Sequence, residues 1–133
     1  MGRAKSKALT SKKFAAIFVE IQEDIHESLA NTLKTGGLEL IGVVSSIEEM
    51  AAISIRDDAR LMIIIDSSEK AATTVERIEI AKELHPDSRI AVLVGEVHLC
   101  RLGPLFQAGA HACLDREANP KTIRKSLELM MQG

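Results

Sequence analysis

Short apolar runs alternate with longer amphipathic stretches along the whole chain. The runs at 14–20, 60–66 and 89–94 are almost continuously apolar, as expected for parallel strands that helices cover on both faces. Weaker apolar runs at 38–44 and 110–114 complete a set of five predicted strands. Right-handed crossovers between such strands give one parallel sheet with helices on both sides. The pattern therefore predicts a single α/β domain.

The amphipathic stretches between these runs predict five helices. Ser46 is a suitable N-cap for the second helix, and Pro120 is a favoured first-turn residue for the last. Gly103-Pro104 should break or kink the fourth helix. The predicted helices span about residues 22–35, 46–56, 69–84 and 97–108, and the last begins near 120. One doubly wound arrangement that fits these elements is the flavodoxin-like sheet of five parallel strands in the order 2-1-3-4-5.

The composition of the 133-residue chain fits one domain with an aliphatic core. It contains 46% hydrophobic residues but only three Phe and no Trp or Tyr, which argues against aromatic platforms for stacking nucleic-acid bases. A formal net charge of −2 gives no general reason to bind nucleic acid or acidic lipid. Residues 1–13 are basic and polar, and we interpret them as a flexible arm ahead of a domain at 14–133.

No apolar stretch is long enough to cross a membrane, and no apolar segment of a signal peptide follows the basic start. These features favour a cytoplasmic protein without a membrane partner. Cys100 and Cys113 are 13 residues apart and form no CxxC pattern, so we interpret both as reduced core residues. The four His residues are not spaced relative to these two cysteines in the way that is typical of a zinc site.

Asp66 ends the apolar run at 60–66, and Glu20 ends the run at 14–20. In a doubly wound sheet, ligands bind beyond the carboxyl ends of the strands, where the strand order reverses. The first and third strands flank that point in the order 2-1-3-4-5, so Glu20 and Asp66 should converge. Glu23 and Asp24 follow on the loop into the first predicted helix. Hard oxygen ligands of this kind suit Mg²⁺ together with a phosphate. The alternative is that both acids are solvated and cap the helices that follow.

Other chemistries find little support in the sequence. There is neither a GxxxxGK[ST] nor a GxGxxG phosphate-binding loop, and no Ser lies in a GxSxG motif. Cys113 is expected to be buried and inert. A small nucleotide-binding enzyme on the same fold is a remaining alternative, and it lacks the glycine-rich loop that would hold the phosphates.

The order of the elements and several short motifs resemble the receiver domains of response regulators, in particular those of LuxR-type (NarL/FixJ-like) transcription regulators. The resemblance covers about residues 14–133. LIGVVSSIEEMA at 40–51 is similar to the VVGEA…GEEAL motif of that subfamily, and GAHACLDR at 109–116 to its GARGYLLK motif. Asn119-Pro120 and the residues up to Gly133 are similar to its SPEELLEAI…G segment. The resemblance implies the flavodoxin-like fold and a signalling role that is not enzymatic.

The resemblance also implies roles for individual residues. Asp66 stands at the phospho-accepting aspartate and Glu20 at the first of two metal-binding acids, so these two become the implied Mg²⁺ ligands. Arg116 stands where the family has a Lys that pairs with the phosphoryl group. Val94 stands where a Ser or Thr hydroxyl reports phosphorylation, and Cys113 replaces the aromatic switch residue.

Several of these positions depart from the family pattern in ways that have physical consequences. Ile21 replaces the second acid and cannot coordinate a metal, so the implied Mg²⁺ site is weak. Val94 has no hydroxyl to hydrogen-bond a phosphoryl oxygen. Arg116 keeps the positive charge, but a planar guanidinium differs in geometry from a compact ammonium. It would either bind a phosphorylated Asp66 or pair with Asp66 and hold the domain in one state without phosphate.

Besides the nucleotide-binding alternative, two signalling functions remain open from the sequence. The first is the receiver of a two-component response regulator, phosphorylated on Asp66 by a sensor histidine kinase or a small phosphodonor. The second is a pseudo-receiver, which is a phosphorylation-independent module for protein interaction or dimerisation. In the first case we expect the N-terminal part of a transcription regulator that is a homodimer, with DNA contact only through a C-terminal domain absent from this chain. Apolar residues of the 97–108 helix form either the candidate dimer contact or ordinary core: Leu99, Leu102, Leu105 and Phe106.

Overall fold

The strands of this protein form one parallel sheet. The computed structural model describes residues 14–21, 27, 29–31, 38–55, 60–67, 70–95 and 102–132, so the predicted arm at 1–13 lies outside the described residues. The strands are β1 Phe14–Val19, β2 Leu38–Val44, β3 Arg60–Asp66, β4 Arg89–Val94 and β5 Ala112–Asp115. Their order is β2-β1-β3-β4-β5, and every neighbouring pair is parallel. The predicted flavodoxin-like sheet and its strand order are confirmed.

Helical segments follow every strand. Residues 27 and 29–31 are helical after β1, and a 3-10 helix, Ile47–Ala52, follows β2. The α-helices are α1 Ala71–Leu84, α2 Gly103–Ala108 and α3 Pro120–Gln132. These five segments agree with the predicted five helices, although the second is shorter than expected and the Ser46 side chain makes no capping hydrogen bond. None of the described helices has the length and apolar composition needed to span a membrane.

Proline and glycine set the starts of the last two helices. Gly103-Pro104 begins α2 with the proline in its first turn, where the missing N–H has no helical partner to lose. At the position of the predicted break or kink, the described residues therefore show the start of α2. Residues 96–101 lie outside the described residues. α3 begins at Pro120 as predicted, and the Asn119 Oδ1 caps it by accepting the Lys121 N–H at 2.8 Å.

The sheet is covered on both faces. Side chains along a strand point alternately to the two faces, so β1, β3 and β4 each contribute to two separate cores. One core includes Ile17, Ile63 and Val92 together with Ile78 of α1. The other includes Phe18, Ile64 and Leu93 together with Ile123 and Leu127 of α3. This double coverage is the physical reason for the unbroken apolar runs in the sequence.

The carboxyl ends of β1 and β3 place two acids next to each other. The two strands pair in register up to Val19 and Ile65. The pairing of β1 with β2 continues past the end of the strand, because the Glu20 N–H donates to the Val44 carbonyl at 2.9 Å. Asp66 is the next residue of β3 after Ile65, so Glu20 and Asp66 lie at the ends of neighbouring strands.

The side chain of His111 extends the pairing of β4 with β5. The Ile90 N–H donates to His111 Nδ1 at 3.0 Å, and the His111 N–H donates to the Ile90 carbonyl at 2.8 Å. Burial lowers the pKa of His111, and the positive charges of Lys82 and Arg89 lower it further. Both effects favour the neutral imidazole, which is the form that can accept a hydrogen bond at Nδ1.

Acidification below the ordinary His pKa of 6.5 should destabilise the domain through His111. The unfolded chain binds a proton there at a higher pH than the folded chain, so the stabilisation is complete above pH 6.5 and is lost as the pH falls through the lowered pKa. Urea unfolding of the wild type and of His111→Asn measures this, because the Asn Oδ1 can accept the same N–H without titrating. Parallel pH profiles of the two proteins would contradict the prediction.

Candidate functional site

Asp66 is a buried acid at the end of β3. It is 4% exposed, so the alternative of a solvated strand-end acid is wrong for this residue. Its Oδ1 accepts a hydrogen bond from Arg116 Nε at 2.9 Å and another from Arg116 Nη2. A carboxylate removed from water needs such a partner, because burial of an unpaired charge is costly. The direct pairing of Arg116 with Asp66, one of the two alternatives left open by the sequence, is present in the structure.

Arg116 joins the ends of three strands. It directly follows β5, and its N–H donates at 2.9 Å to the carbonyl of Val94, the last residue of β4. Its guanidinium reaches Asp66 on β3, and Nη2 also donates to the Ser67 carbonyl at 3.2 Å. A Cβ on Gly95 would lie 3.4 Å from Nη1, so the guanidinium passes close to the backbone after β4. The Arg116 side chain is 20% exposed, so solvent reaches only one side of the pair.

Glu20 is bound by a second arginine, Arg77 of α1. Glu20 has a φ of 56°, in the left-handed region that residues other than glycine rarely adopt. Its Oε1 accepts a hydrogen bond from Arg77 Nη2 at 2.8 Å. The Nη1 of Arg77 donates to the backbone carbonyl of Asp66 at 3.3 Å. Arg77 therefore links the end of β1 to the end of β3.

Sequence reasoning missed Arg77, which lies within the helix predicted at 69–84. The helical period is the signal that could have found it. Thr74, three residues earlier, and Ala81, four residues later, are buried, so Arg77 lies on the side of α1 that meets the sheet. In the sequence it is one of several charged residues on an amphipathic helix, and nothing singles it out as a partner of Glu20.

Among the described residues, the two acids predicted to bind Mg²⁺ are each paired with an arginine, an arrangement that does not fit a metal site. Glu23 and Asp24 lie outside the described residues. The carboxylates of Glu20 and Asp66 each accept hydrogen bonds from an arginine. Ile21, which is 9% exposed, offers only an aliphatic side chain where a second acid would be needed. Within the described ranges, no group of three or more His, Cys, Asp or Glu residues is arranged to hold a metal ion. Mg²⁺ requires nearly octahedral oxygen coordination, and the two guanidinium groups would repel it.

Val94 and Cys113 contribute packing at this edge of the sheet. Val94 is fully buried and has no hydroxyl. Cys113 lies on β5, packs against the core that contains Val94, and is a free thiol. Burial raises the pKa of Cys113 to about 11, so the thiol stays protonated near neutral pH. Cys100 lies outside the described residues.

The predicted contact surface of the 97–108 helix is divided between core and solvent. Leu105 is 2% exposed, and Leu102 packs against the same core, so the core interpretation is confirmed for both. Phe106 is 45% exposed. Leu99 lies outside the described residues. A single exposed aromatic residue is ordinary on a protein surface and does not define a dimer interface.

Two of the cavities that described residues line lie at opposite edges of the sheet. One of about 570 Å³ lies at the amino ends of β1, β3 and β4, where it is lined in part by Phe14, Leu61 and Arg89. The other, of about 440 Å³, is a shallow cavity beside Glu20 at the carboxyl edge. The two acid–arginine pairs lie at the carboxyl edge, which is where doubly wound sheets place their ligand sites. We therefore assign the candidate functional site to this edge in spite of the larger cavity at the other.

Solved structures of response regulators share this fold. A response regulator from Thermotoga maritima is 16% identical with a TM-score of 0.74, over 91% of this chain and 99% of its own. The non-phosphorylated receiver domain of the stress response regulator RcsB from Escherichia coli is 16% identical with a TM-score of 0.73, over 91% and 95% of the two chains. A LuxR family DNA-binding response regulator from Silicibacter pomeroyi is 17% identical with a TM-score of 0.70, over 90% and 93%. No protein-family model and no curated protein matches the chain. The chain therefore has the flavodoxin-like fold found in response-regulator receiver domains.

Removal of the cation from the Asp66–Arg116 pair should strongly destabilise the fold. Arg116→Met leaves a buried carboxylate without its partner, and we expect the free energy of unfolding to fall by about 2–4 kcal/mol. This range lies somewhat below that of a fully buried pair, because Arg116 is partly exposed. Urea denaturation at neutral pH measures the change.

The matched control is the double variant Asp66→Asn/Arg116→Met, in which the buried negative charge is also removed. It should be more stable than the sum of the two single substitutions predicts, and the difference is the coupling energy of the pair. Strictly additive effects would contradict a direct interaction between Asp66 and Arg116.

The thiol of Cys113 should alkylate slowly in the folded protein. With a pKa of about 11, it ionises far less at neutral pH than an exposed thiol does. In a Cys100→Ser background, where Cys113 is the only thiol, iodoacetamide labelling followed by mass spectrometry should be about 10-fold slower or more than in the urea-unfolded chain, because the higher nucleophilicity of a more basic thiolate partly offsets its lower fraction. Equal rates in the folded and unfolded protein would show that Cys113 is not protected.

Proposed function

We propose that the chain is a receiver-type signalling module that acts through protein contacts, not as an enzyme, and that its Asp66 site works without phosphate. The observation that carries the proposal is the ion pair between buried Asp66 and Arg116. The fold, which is similar to that of response-regulator receivers, supports the signalling role. The proposal corresponds to the pseudo-receiver among the two functions left open by the sequence.

The ion pair supplies a contact that phosphorylation would otherwise create. A phosphoryl group adds negative charge, and a nearby cation binds that charge through charge-assisted hydrogen bonds. Arg116 already binds the Asp66 carboxylate and also reaches the Ser67 carbonyl. Val94, buried at the end of β4, offers no hydroxyl that could bind a phosphoryl oxygen. The cation of this site is therefore engaged before any phosphate arrives, which favours a single constitutive state.

Phosphorylation of Asp66 is the second candidate function, because the pair engages one carboxylate oxygen. Both hydrogen bonds from Arg116 end on Oδ1, so Oδ2 lies outside the pair. Oδ2 would attack the phosphorus of a phosphohistidine or an acyl phosphate, and the bond from phosphorus to the donor would break as the new O–P bond forms. A sensor histidine kinase or a small phosphodonor would then be the partner. Ile21, in place of the second acid, and Val94, in place of the hydroxyl residue, favour the phosphate-independent module over phosphorylation.

The wider setting of the module is also a proposal. One of the structures with this fold is a LuxR family DNA-binding response regulator, which supports a place in a cytoplasmic transcription regulator. With a net charge of −2, the chain itself has no general attraction for DNA, so a separate domain would make that contact. A second copy of the chain or another regulatory protein would be the partner of the phosphate-independent module.

Incubation of the folded protein with acetyl phosphate and Mg²⁺ should leave its intact mass unchanged. The physical reason is that Arg116 holds Asp66 and that the donor set around the acid does not fit the metal. Electrospray mass spectrometry of the intact chain measures the outcome. A receiver known to accept phosphate from acetyl phosphate serves as the positive control.

The variant Asp66→Asn separates phosphorylation at this residue from modification elsewhere. A wild-type mass increase of one phosphoryl group that is absent in Asp66→Asn would overturn the phosphate-independent proposal. That result would establish phosphorylation of Asp66 as the function of the site.

A further inference from the structure

Arg77 binds two oxygen atoms at the carboxyl ends of the neighbouring strands β1 and β3. Its Nη2 is 2.8 Å from the Glu20 Oε1, and its Nη1 is 3.3 Å from the Asp66 carbonyl oxygen. We propose that the Arg77 guanidinium is a resident cation that takes the place of a divalent metal at this site, so that the domain binds no Mg²⁺ while Arg77 is present. The inference rests on the proposed function, since it concerns how the same acid site is regulated.

The two oxygens that Arg77 binds are of the kind a hard metal ion would use. A carboxylate and a backbone carbonyl at the ends of adjacent strands are typical ligands of a divalent cation. The guanidinium is a planar fork with donors in fixed directions, so one group can bind both oxygens at once. A metal at the same position would lose these ligands to Arg77 and would lie next to a positive charge.

Each of the two acids in these pairs already has its own cation: Glu20 lies against Arg77, and Asp66 against Arg116. Mg²⁺ bound to these acids would lie beside two guanidinium groups at a partly buried position, where screening by solvent is weak. The Arg77 and Arg116 side chains are 17% and 20% exposed, so neither is a loosely held surface cation.

The two ends of the Glu20–Arg77 pair are held in place by their own surroundings. Arg77 lies on the sheet side of α1, between the buried residues Thr74 and Ala81. Glu20, which adopts the left-handed conformation, donates its N–H to the Val44 carbonyl at 2.9 Å. Displacement of Arg77 by a metal would require the helix side chain to leave a position that the packing of α1 favours.

Mg²⁺ titration of the wild type and of three variants tests the inference without a phosphodonor. Arg77→Met removes the charge, Arg77→Lys keeps a positive charge as the matched control, and Arg77→Met/Glu20→Gln also removes the carboxylate. The readouts are the melting temperature and the amide NMR shifts of Glu20 and Asp66.

We expect the wild type and Arg77→Lys to show no Mg²⁺-dependent change. Arg77→Met should have a lower melting temperature that rises by roughly 3–6 °C at a Mg²⁺ concentration about ten times its Kd. The rise should disappear in Arg77→Met/Glu20→Gln. If Arg77→Met does not fold, Arg77→Gln, which is uncharged but keeps hydrogen-bonding atoms, provides the same comparison.

Two results would overturn the inference. One is a Mg²⁺-dependent shift of the Glu20 and Asp66 amides in the wild type. The other is a folded Arg77→Met or Arg77→Gln that gains no response to Mg²⁺. Failure of this inference can be distinguished from failure of the proposed function. Wild-type Mg²⁺ binding without phosphorylation overturns the inference alone, whereas a phosphoryl group on Asp66 without Mg²⁺ binding overturns the proposed function alone.

Discussion

The ion pair between Asp66 and Arg116 is the interaction on which the architecture of the carboxyl edge depends. A carboxylate that is 4% exposed can keep its charge only beside a cation that also satisfies its hydrogen bonds. Arg116 reaches it because the carbonyl of Val94 anchors the Arg116 backbone beside β4. The Gly95 backbone lies close to this guanidinium, since a Cβ there would be in van der Waals contact with Nη1 at 3.4 Å. The position of the pair is therefore set by the ends of three strands.

Parallel topology explains why four charged residues from distant parts of the chain meet. All five strands run in one direction, so their carboxyl ends share one edge. Glu20 and Arg77 are 57 residues apart in sequence, and Asp66 and Arg116 are 50 apart. Each acid could have been left to solvent, and each instead meets an arginine that a different element supplies. The fold thus brings the charges together, and the choice of arginine decides what the site can bind.

The fold could be predicted from the sequence because buried parallel strands require apolar side chains on both faces. β2, β3 and β4 begin and end where the apolar runs do. β5 was less accurate, at 112–115 against a predicted 110–114, because this edge strand is only partly buried and its pattern is weaker. β1 ends one residue early, since Glu20 turns into the left-handed region, which no side-chain pattern announces. The second helix is a six-residue 3-10 helix, a type that is usually short because its hydrogen-bond geometry is poorer than that of an α-helix.

The positions of the acids could be predicted from the sequence, but their partners could not. Strand ends follow from apolar runs, whereas the choice among 17 Lys and Arg residues depends on tertiary packing. The family resemblance pointed to Arg116, whereas the helical period could place Arg77 on the sheet side of its helix but could not name Glu20 as its partner. That second partner changes the interpretation of the site, because both acids meet a cation of the chain itself before any metal or phosphoryl group is added. Under the function proposed above, the signal would lie in which proteins bind the conformation that these two pairs stabilise.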